Sequence, residues 1–243
     1  MGNKYLSYDA DRAPKVREMF SRVAARYDLV NDLMSLGLHR RWKREVARRA
    51  LAGAGPAARV LDLCCGSGDL AFSAERVGAA RITGVDFALP MLAVARSRRR
   101  ASNSRCRFVQ ADALALPFPD GSFDAITVGY GLRNIADLPA ALSEMRRVLA
   151  PGGRVAVLDF GKPENLLVRR LYLAYLRVAM PLFGWLSCGD ADAYRYIPAS
   201  LEGYPAQRGV ERLMREAGFA STGHEDRFFG AMGINFGEAP GSR

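Results

Sequence analysis

A chain of 243 residues is long enough for one large α/β domain with a continuous core, and 49% hydrophobic with 25% charged side chains is ordinary for a soluble enzyme. Two histidines, His39 and His224, and four cysteines, none in a C-x-x-C pair, are too few and too scattered for a zinc site, so no metal is expected. The formal charge of +10 comes mainly from arginine runs such as Arg40-Arg41-Trp42-Lys43-Arg44 and Arg96 to Arg100, which read first as solvated helix faces and second as attraction to an anionic membrane. No nucleic-acid partner is expected, because no aromatic–basic stacking platform accompanies the charge.

The amino terminus is polar, without the apolar stretch of a secretory signal, so a cytoplasmic protein is expected. Residues 14–53 read as a helical cap: Val16, Met19, Phe20 and Val23 fall on one helix face, a loop from Asn31 to Leu38 follows, and a basic helix then runs to Gly53, Gly55 and Pro56. Residues 57–160 alternate strands with helices. Strands are predicted at Arg59–Leu63, Arg81–Val85, Cys106–Gln110, Phe123–Val128 and Arg154–Leu158. Helices are predicted at Asp69–Val77, Leu89–Arg100 and Leu138–Leu149, the last stopped by Pro151-Gly152-Gly153. This pattern predicts a mostly parallel, twisted, Rossmann-like sheet with helices on both faces. Residues 161–204 contain a long apolar segment, Leu166 to Leu186, expected to form a lid. Residues 205–238 end in a helix from Val210 to Ala217 and two strands flanking Phe228-Phe229-Gly230. No repeat or linker divides the chain, so residues 1–243 are expected to form one domain.

The sharpest local feature is Leu61-Asp62-Leu63-Cys64-Cys65-Gly66-Ser67-Gly68-Asp69-Leu70-Ala71, where Gly66 and Gly68 turn the chain sharply off the first strand and allow close approach of a ligand. The glycine spacing alone also fits a dinucleotide site. Three acidic residues on successive strand ends favour a cationic, phosphate-free ligand instead. Asp62 suits the ammonium of a methionine moiety, Asp86 the ribose hydroxyls, and Asp112, followed by Ala113, the adenine amino group. The bland reading of one such aspartate is a helix cap. Three together with the glycine loop point to S-adenosyl-L-methionine, held by Asp62, Gly66, Ser67, Gly68, Asp86, Asp112 and Ala113, and hence to a class I methyltransferase.

The stretch Tyr27-Asp28-Leu29-Val30-Asn31-Asp32-Leu33-Met34-Ser35-Leu36-Gly37-Leu38-His39-Arg40-Arg41-Trp42 closely resembles the amino-terminal signature of the quinone C-methyltransferases of menaquinone and ubiquinone biosynthesis. Gly131-Leu132-Arg133-Asn134, Arg147 to Gly153, and Gly189-Asp190 through Tyr194-Arg195-Tyr196 to Ser200 are similar to further landmarks of that family, and the resemblance spans about residues 14 to 238. Departures are Cys64, Cys65 and Ser67 in the loop, Asp159-Phe160-Gly161 where Glu-Phe-Ser is usual, and the loss of a common histidine within Met232 to Gly237. The resemblance implies methyl transfer to a ring carbon of a prenylated quinol, demethylmenaquinol or a close relative. A benzoquinol of ubiquinone biosynthesis, demethylphylloquinol and a soluble secondary metabolite are the alternative acceptors, and a non-catalytic RNA-binding protein is the reading from another class.

Within that resemblance the catalytic candidates are Arg133, Asn134, Tyr27 and His39. Arg133 is suited to stabilising phenolate charge, its other reading being a structural ion pair. His39 has the ordinary pKa of a general base and can equally be a hydrogen-bonded spacer. Asp28 reads as well as a turn cap as it does as a catalytic group. Tyr130 faces the sulfonium or is core. The segment Leu166 to Leu186 is interrupted by Arg169, Arg170 and Arg177, and Pro181 with Gly184 breaks its periodicity, so it is too short to span a bilayer. It reads as a packed lid helix, as a wall for the prenyl tail touching the inner face of the membrane, or as both. A homodimer is left open.

Overall fold

The structure, a computed structural model, describes Asp32, Ser35 and residues 37–79, 81–188 and 192–241. Tyr27, Asp28 and the first helix of the expected cap, with Val16, Met19, Phe20 and Val23, lie outside the described residues.

In chain order the elements are α1 (Leu38–Ala50), β1 (Arg59–Leu63), α2 (Asp69–Val77), β2 (Arg81–Asp86), α3 (Leu89–Ser102), β3 (Arg107–Gln110), β4 (Phe123–Gly129), a 3₁₀ turn (Leu132–Asn134), α4 (Leu138–Val148), β5 (Leu149–Phe160), α5 (Leu166–Cys188), α6 (Asp192–Gly203), α7 (Ala206–Glu216), β6 (Ala220–Arg227) and β7 (Met232–Glu238). The strands form one seven-stranded sheet in the order β3-β2-β1-β4-β5-β7-β6. The first five are parallel, while β7 runs antiparallel to both β5 and β6. This is the Rossmann-like, mostly parallel sheet that the alternating pattern predicts.

The central strands are buried along nearly their whole length, as parallel strands covered on both faces must be. Neighbouring residues of β7 show which helix covers which face. Phe236 lies under the Arg49 guanidinium of α1, 4.3 Å from its ring centre. A side chain on Gly237 would meet Met214 of α7, with Cβ 3.0 Å from its Cε. Successive strand residues point to opposite faces, so α1 and α7 lie on opposite sides. The core runs from Trp42 and Val46 on α1, through Leu61, Ile126 and Leu158 of the sheet, to Val210 and Met214 on α7. Each such side chain contributes about 1.5–3 kcal/mol of burial.

Two elements differ from expectation. Pro151-Gly152-Gly153 does not separate helix from strand. Leu149 is already extended and pairs with Phe123, and the prolyl-glycyl stretch is an irregularity within β5 before Arg154 pairs with Ala125. The apolar segment does not break at Pro181 either; α5 continues through it to Cys188. A proline inside a helix removes one hydrogen bond. Burial of Leu176 and Met180 on the underside of α5, which packs on α6, outweighs that loss. Among the described residues no helix is long and apolar enough to cross a membrane.

Candidate active site

The strand order reverses between β1 and β4: β2 and β3 continue on one side, β5 on the other. A crevice outside the carboxyl ends of strands forms at such a switch point. Leu63 pairs level with Val85 and Val128, so β1, β2 and β4 deliver Cys64, Asp86 and Tyr130 to one edge.

The turn after β1 is built from left-handed residues: Cys64 at φ 55°, Gly66 at 53° and Gly68 at 83°. Asp86 anchors it. One carboxylate oxygen accepts from the Gly66 N–H at 2.8 Å and the other from the Ala88 N–H at 2.9 Å. Burial pushes the Asp86 carboxyl above its ordinary range, against these backbone donors. Across the crevice Gly131 packs onto the turn so closely that a Cβ there would lie 2.3 Å from that of Cys64. Burial, with the Asp86 and Asp62 carboxylates nearby, pushes the Cys64 thiol well above its ordinary value, so it stays neutral.

The resulting cavity is lined by Gly66, Ser67, Asp86, Asp112 and Ala113, as well as Asn134 and Tyr130. Asp112 accepts from the Leu114 N–H at 2.9 Å and thereby shapes the loop after β3. Asn134 donates to the Tyr130 carbonyl at 3.4 Å and accepts from the Tyr196 hydroxyl at 2.6 Å, tying α6 to the crevice. Gly68 does not line the cavity; a side chain there would strike Phe108 at 2.8 Å, so its role is to let β3 close over the turn.

Two candidate residues stand elsewhere than expected. Asp62 is 0% exposed and does not reach the cavity. Its carboxyl accepts from the Thr127 hydroxyl at 2.9 Å, joining β1 to β4 beneath the crevice, and burial pushes its pKa up to about 7. The strand-end position suggested a rim residue, but an inward-pointing side chain on a central strand meets the sheet interior. Arg133 also misses the cavity. Its guanidinium donates to Asp159 at 2.7 Å and to the Tyr130 carbonyl at 2.5 Å, and lies 4.7 Å from the Phe160 ring centre. The alternative weighed for it, a structural ion pair, is the geometry found.

Lys43 and Asp69, which no motif in the sequence singles out, also line the cavity, the buried ammonium 2.7 Å from the partly buried carboxylate. Burial alone would raise the Asp69 carboxyl, but the Lys43 charge and hydrogen bond outweigh it and hold it at about 2. The signal was present. His39, Trp42, Lys43, Val46, Ala47 and Ala50 are the buried face of α1, with helical spacing and two polar members.

His39 opens onto a second, apolar cavity lined by Trp42, Tyr130, Phe160, Tyr172 and Tyr175. Tyr130, held at φ 60°, lines both cavities and forms their common wall. His39 is 2% exposed and bonds through Nε2 to Asp32 at 2.7 Å. Burial, and then the nearby Lys43 charge, lowers its pKa below the ordinary value. Tyr172 donates to the Ala231 carbonyl at 3.1 Å, and burial raises its pKa.

Residues 8–239 match the model of the ubiE/COQ5 methyltransferase family. This chain belongs to that family. A demethylmenaquinone methyltransferase of Thermus thermophilus is 47% identical over 91% of this chain and 100% of its own length. The ubiquinone/menaquinone biosynthesis C-methyltransferase UbiE of Azotobacter vinelandii is 43% identical over 96% of this chain and 92% of its own. Among solved structures, a putative S-adenosyl-L-methionine-dependent methyltransferase from Methanococcus maripaludis superposes with a TM-score of 0.61 at 19% identity, covering 100% of this chain and 98% of that one. One from Thermotoga maritima gives 0.61 at 20% identity over 92% and 99%. These two share the fold. The family member described here is an S-adenosylmethionine-dependent C-methyltransferase.

Proposed function

We propose that the acceptor is a prenylated quinol, demethylmenaquinol, methylated on a ring carbon. The observation that carries this reading is the pair of cavities meeting at Tyr130, one rimmed with carboxylates and the other apolar and aromatic. The first suits a cation without phosphates. Asp86 and Asp112 offer acceptors to ribose and adenine, while the Lys43–Asp69 pair presents both signs of charge to an amino-acid moiety. Bound there, S-adenosylmethionine supplies an electrophilic methyl group. The second cavity takes the flat quinol ring, with Tyr130 keeping the two ligands in register and the surrounding aromatics excluding water. The name of the Thermus thermophilus relative supports a naphthoquinol ring.

The prenyl tail leaves over α5 and the membrane it comes from lies against that helix. Leu167, Leu171, Tyr175, Val178, Leu182 and Trp185 form an exposed stripe at helical spacing, and Val178 is 74% exposed. Tyr175 also lines the acceptor cavity, as does Phe228 at the tip of the β6–β7 hairpin, where the neighbouring Phe229 is 81% exposed. The cavity mouth and the apolar surface are therefore continuous.

Labelled S-adenosylmethionine with a reduced short-chain demethylmenaquinol tests the acceptor. Label on a ring carbon, with weaker labelling of benzoquinol analogues, is the expected result. Preference for a benzoquinol assigns the enzyme to ubiquinone biosynthesis, and no transfer despite tight cofactor binding removes the quinol reading.

A further inference from the structure

We propose that Asp32 and His39 form a dyad in which the Nδ1 of His39 takes the hydroxyl proton of the acceptor, making His39 a catalytic residue and Asp32 its positioning residue. This rests on the quinol reading of the second cavity.

The tautomer follows from the hydrogen bonds. Asp32 is held as a carboxylate, far below its ordinary pKa, chiefly by the Arg40 guanidinium, which donates to it from Nε at 2.7 Å and from Nη2 at 2.5 Å. A carboxylate only accepts, so Nε2 of His39, 2.7 Å away, carries the proton. In the neutral ring Nδ1 therefore bears a lone pair. That atom is buried and has no hydrogen-bond partner among the described residues. A buried acceptor without a donor is unfavourable, and a ligand in the cavity that donates to it relieves this. A quinol hydroxyl is such a donor.

The other polar side chains lining this cavity do not fit the task. Tyr172 is engaged with Ala231, burial raises the phenols of Tyr172 and Tyr175, and tyrosine and serine hydroxyls are weak bases at neutral pH. Among the described residues the charged groups acting on His39 are Asp32 and Asp69, which favour its protonation, and Lys43, which opposes it. In the step itself the acceptor O–H bond breaks and an Nδ1–H bond forms, giving a phenolate and an imidazolium braced by Asp32. Once the ring carbon has gained its methyl group its C–H bond breaks, the electron pair restoring the aromatic phenolate and the proton passing to bulk solvent. The imidazolium then returns its proton to the oxygen, so one proton is released per turnover.

The test uses His39→Gln and Asp32→Asn in the full chain, with labelled methyl transfer to short-chain demethylmenaquinol and cofactor binding followed separately. His39→Gln is expected to lower kcat at least about 100-fold while the cofactor Kd changes less than about twofold. It is also expected to abolish the acidic limb of the pH–rate profile. Asp32→Asn is expected to keep that limb, displaced to lower pH, with reduced kcat. An electron-poor acceptor already ionised at the assay pH is expected to restore turnover to His39→Gln. If His39→Gln does not fold, the displaced limb in Asp32→Asn alone decides. An unmoved acidic limb in Asp32→Asn, or a His39→Gln enzyme retaining the limb and near-normal kcat, overturns the dyad. Absence of transfer by the unaltered enzyme overturns the quinol reading instead.

Discussion

Two carboxylates, Asp69 lining the cavity and Asp62 beneath it, titrate in opposite directions because their surroundings differ. Asp69 has the Lys43 ammonium hydrogen-bonded against it, whereas burial in the sheet interior dominates at Asp62, ahead of the Thr127 hydroxyl and the Lys43 charge. With its folded pKa raised to about 7 from an ordinary 3.8, Asp62 binds more protons in the native than in the unfolded state between those values. Its contribution to stability is therefore lost as pH rises through that window. Urea titrations of the unaltered protein and Asp62→Asn at pH 5 and pH 8 check this. The unaltered protein is expected to lose stability relative to the variant on going from pH 5 to pH 8, and a constant difference refutes the assignment. Such behaviour was not legible in the sequence. An aspartate ending a strand before a glycine turn reads as a rim residue, and only the direction of its side chain in the pleat sends it inward. Arg133 illustrates the same point, since nothing in Gly131-Leu132-Arg133-Asn134 shows that Asp159, on the neighbouring strand, takes up the guanidinium.

At the level of elements, α1 contributes more to the site than its basic composition suggests. Arg40, Arg41 and Arg44 are exposed, as a solvated face should be, but one turn apart on the opposite face His39 serves one cavity and Lys43 the other. Lys43→Met leaves the partly buried Asp69 without its main partner, with Arg98 at 3.4 Å a remaining cation among the described residues. A loss of about 3–5 kcal/mol is expected by denaturant unfolding. The double variant with Asp69→Asn should recover a large part of it, whereas additive losses indicate that the pair is not coupled. The alternation of β1 to β5 with α2, α3 and α4 was readable because buried parallel strands and capped helices have distinct signatures, such as Asp137 accepting from the Ala140 N–H at the start of α4. The course of α5 through Pro181 was not, because long-range burial against α6 outweighs a local helix breaker.

For the whole molecule, the exposed side of α5 and the β6–β7 hairpin form one apolar surface on a chain of net charge +10. Arg170 and Arg177 stand exposed on the same helix. On the membrane contact proposed above, attraction of arginines to anionic headgroups and insertion of the apolar stripe would act together. Flotation with vesicles containing phosphatidylglycerol checks this: the protein should float, and Val178→Asp with Phe229→Asp should remain at the bottom while still binding cofactor. Equal flotation of both proteins places the membrane contact elsewhere.

The insertion of β7 between β5 and β6 bears on how the chain is made. The sheet cannot close until β7 has left the ribosome, although β6 and everything before it is already available. Until then β5 carries a bare row of main-chain donors and acceptors, and β6 has no neighbour in the sheet. Such an edge pairs readily with a strand from another chain. A stop codon upstream of Met232 therefore yields a self-associating, protease-sensitive product rather than a slightly shortened enzyme.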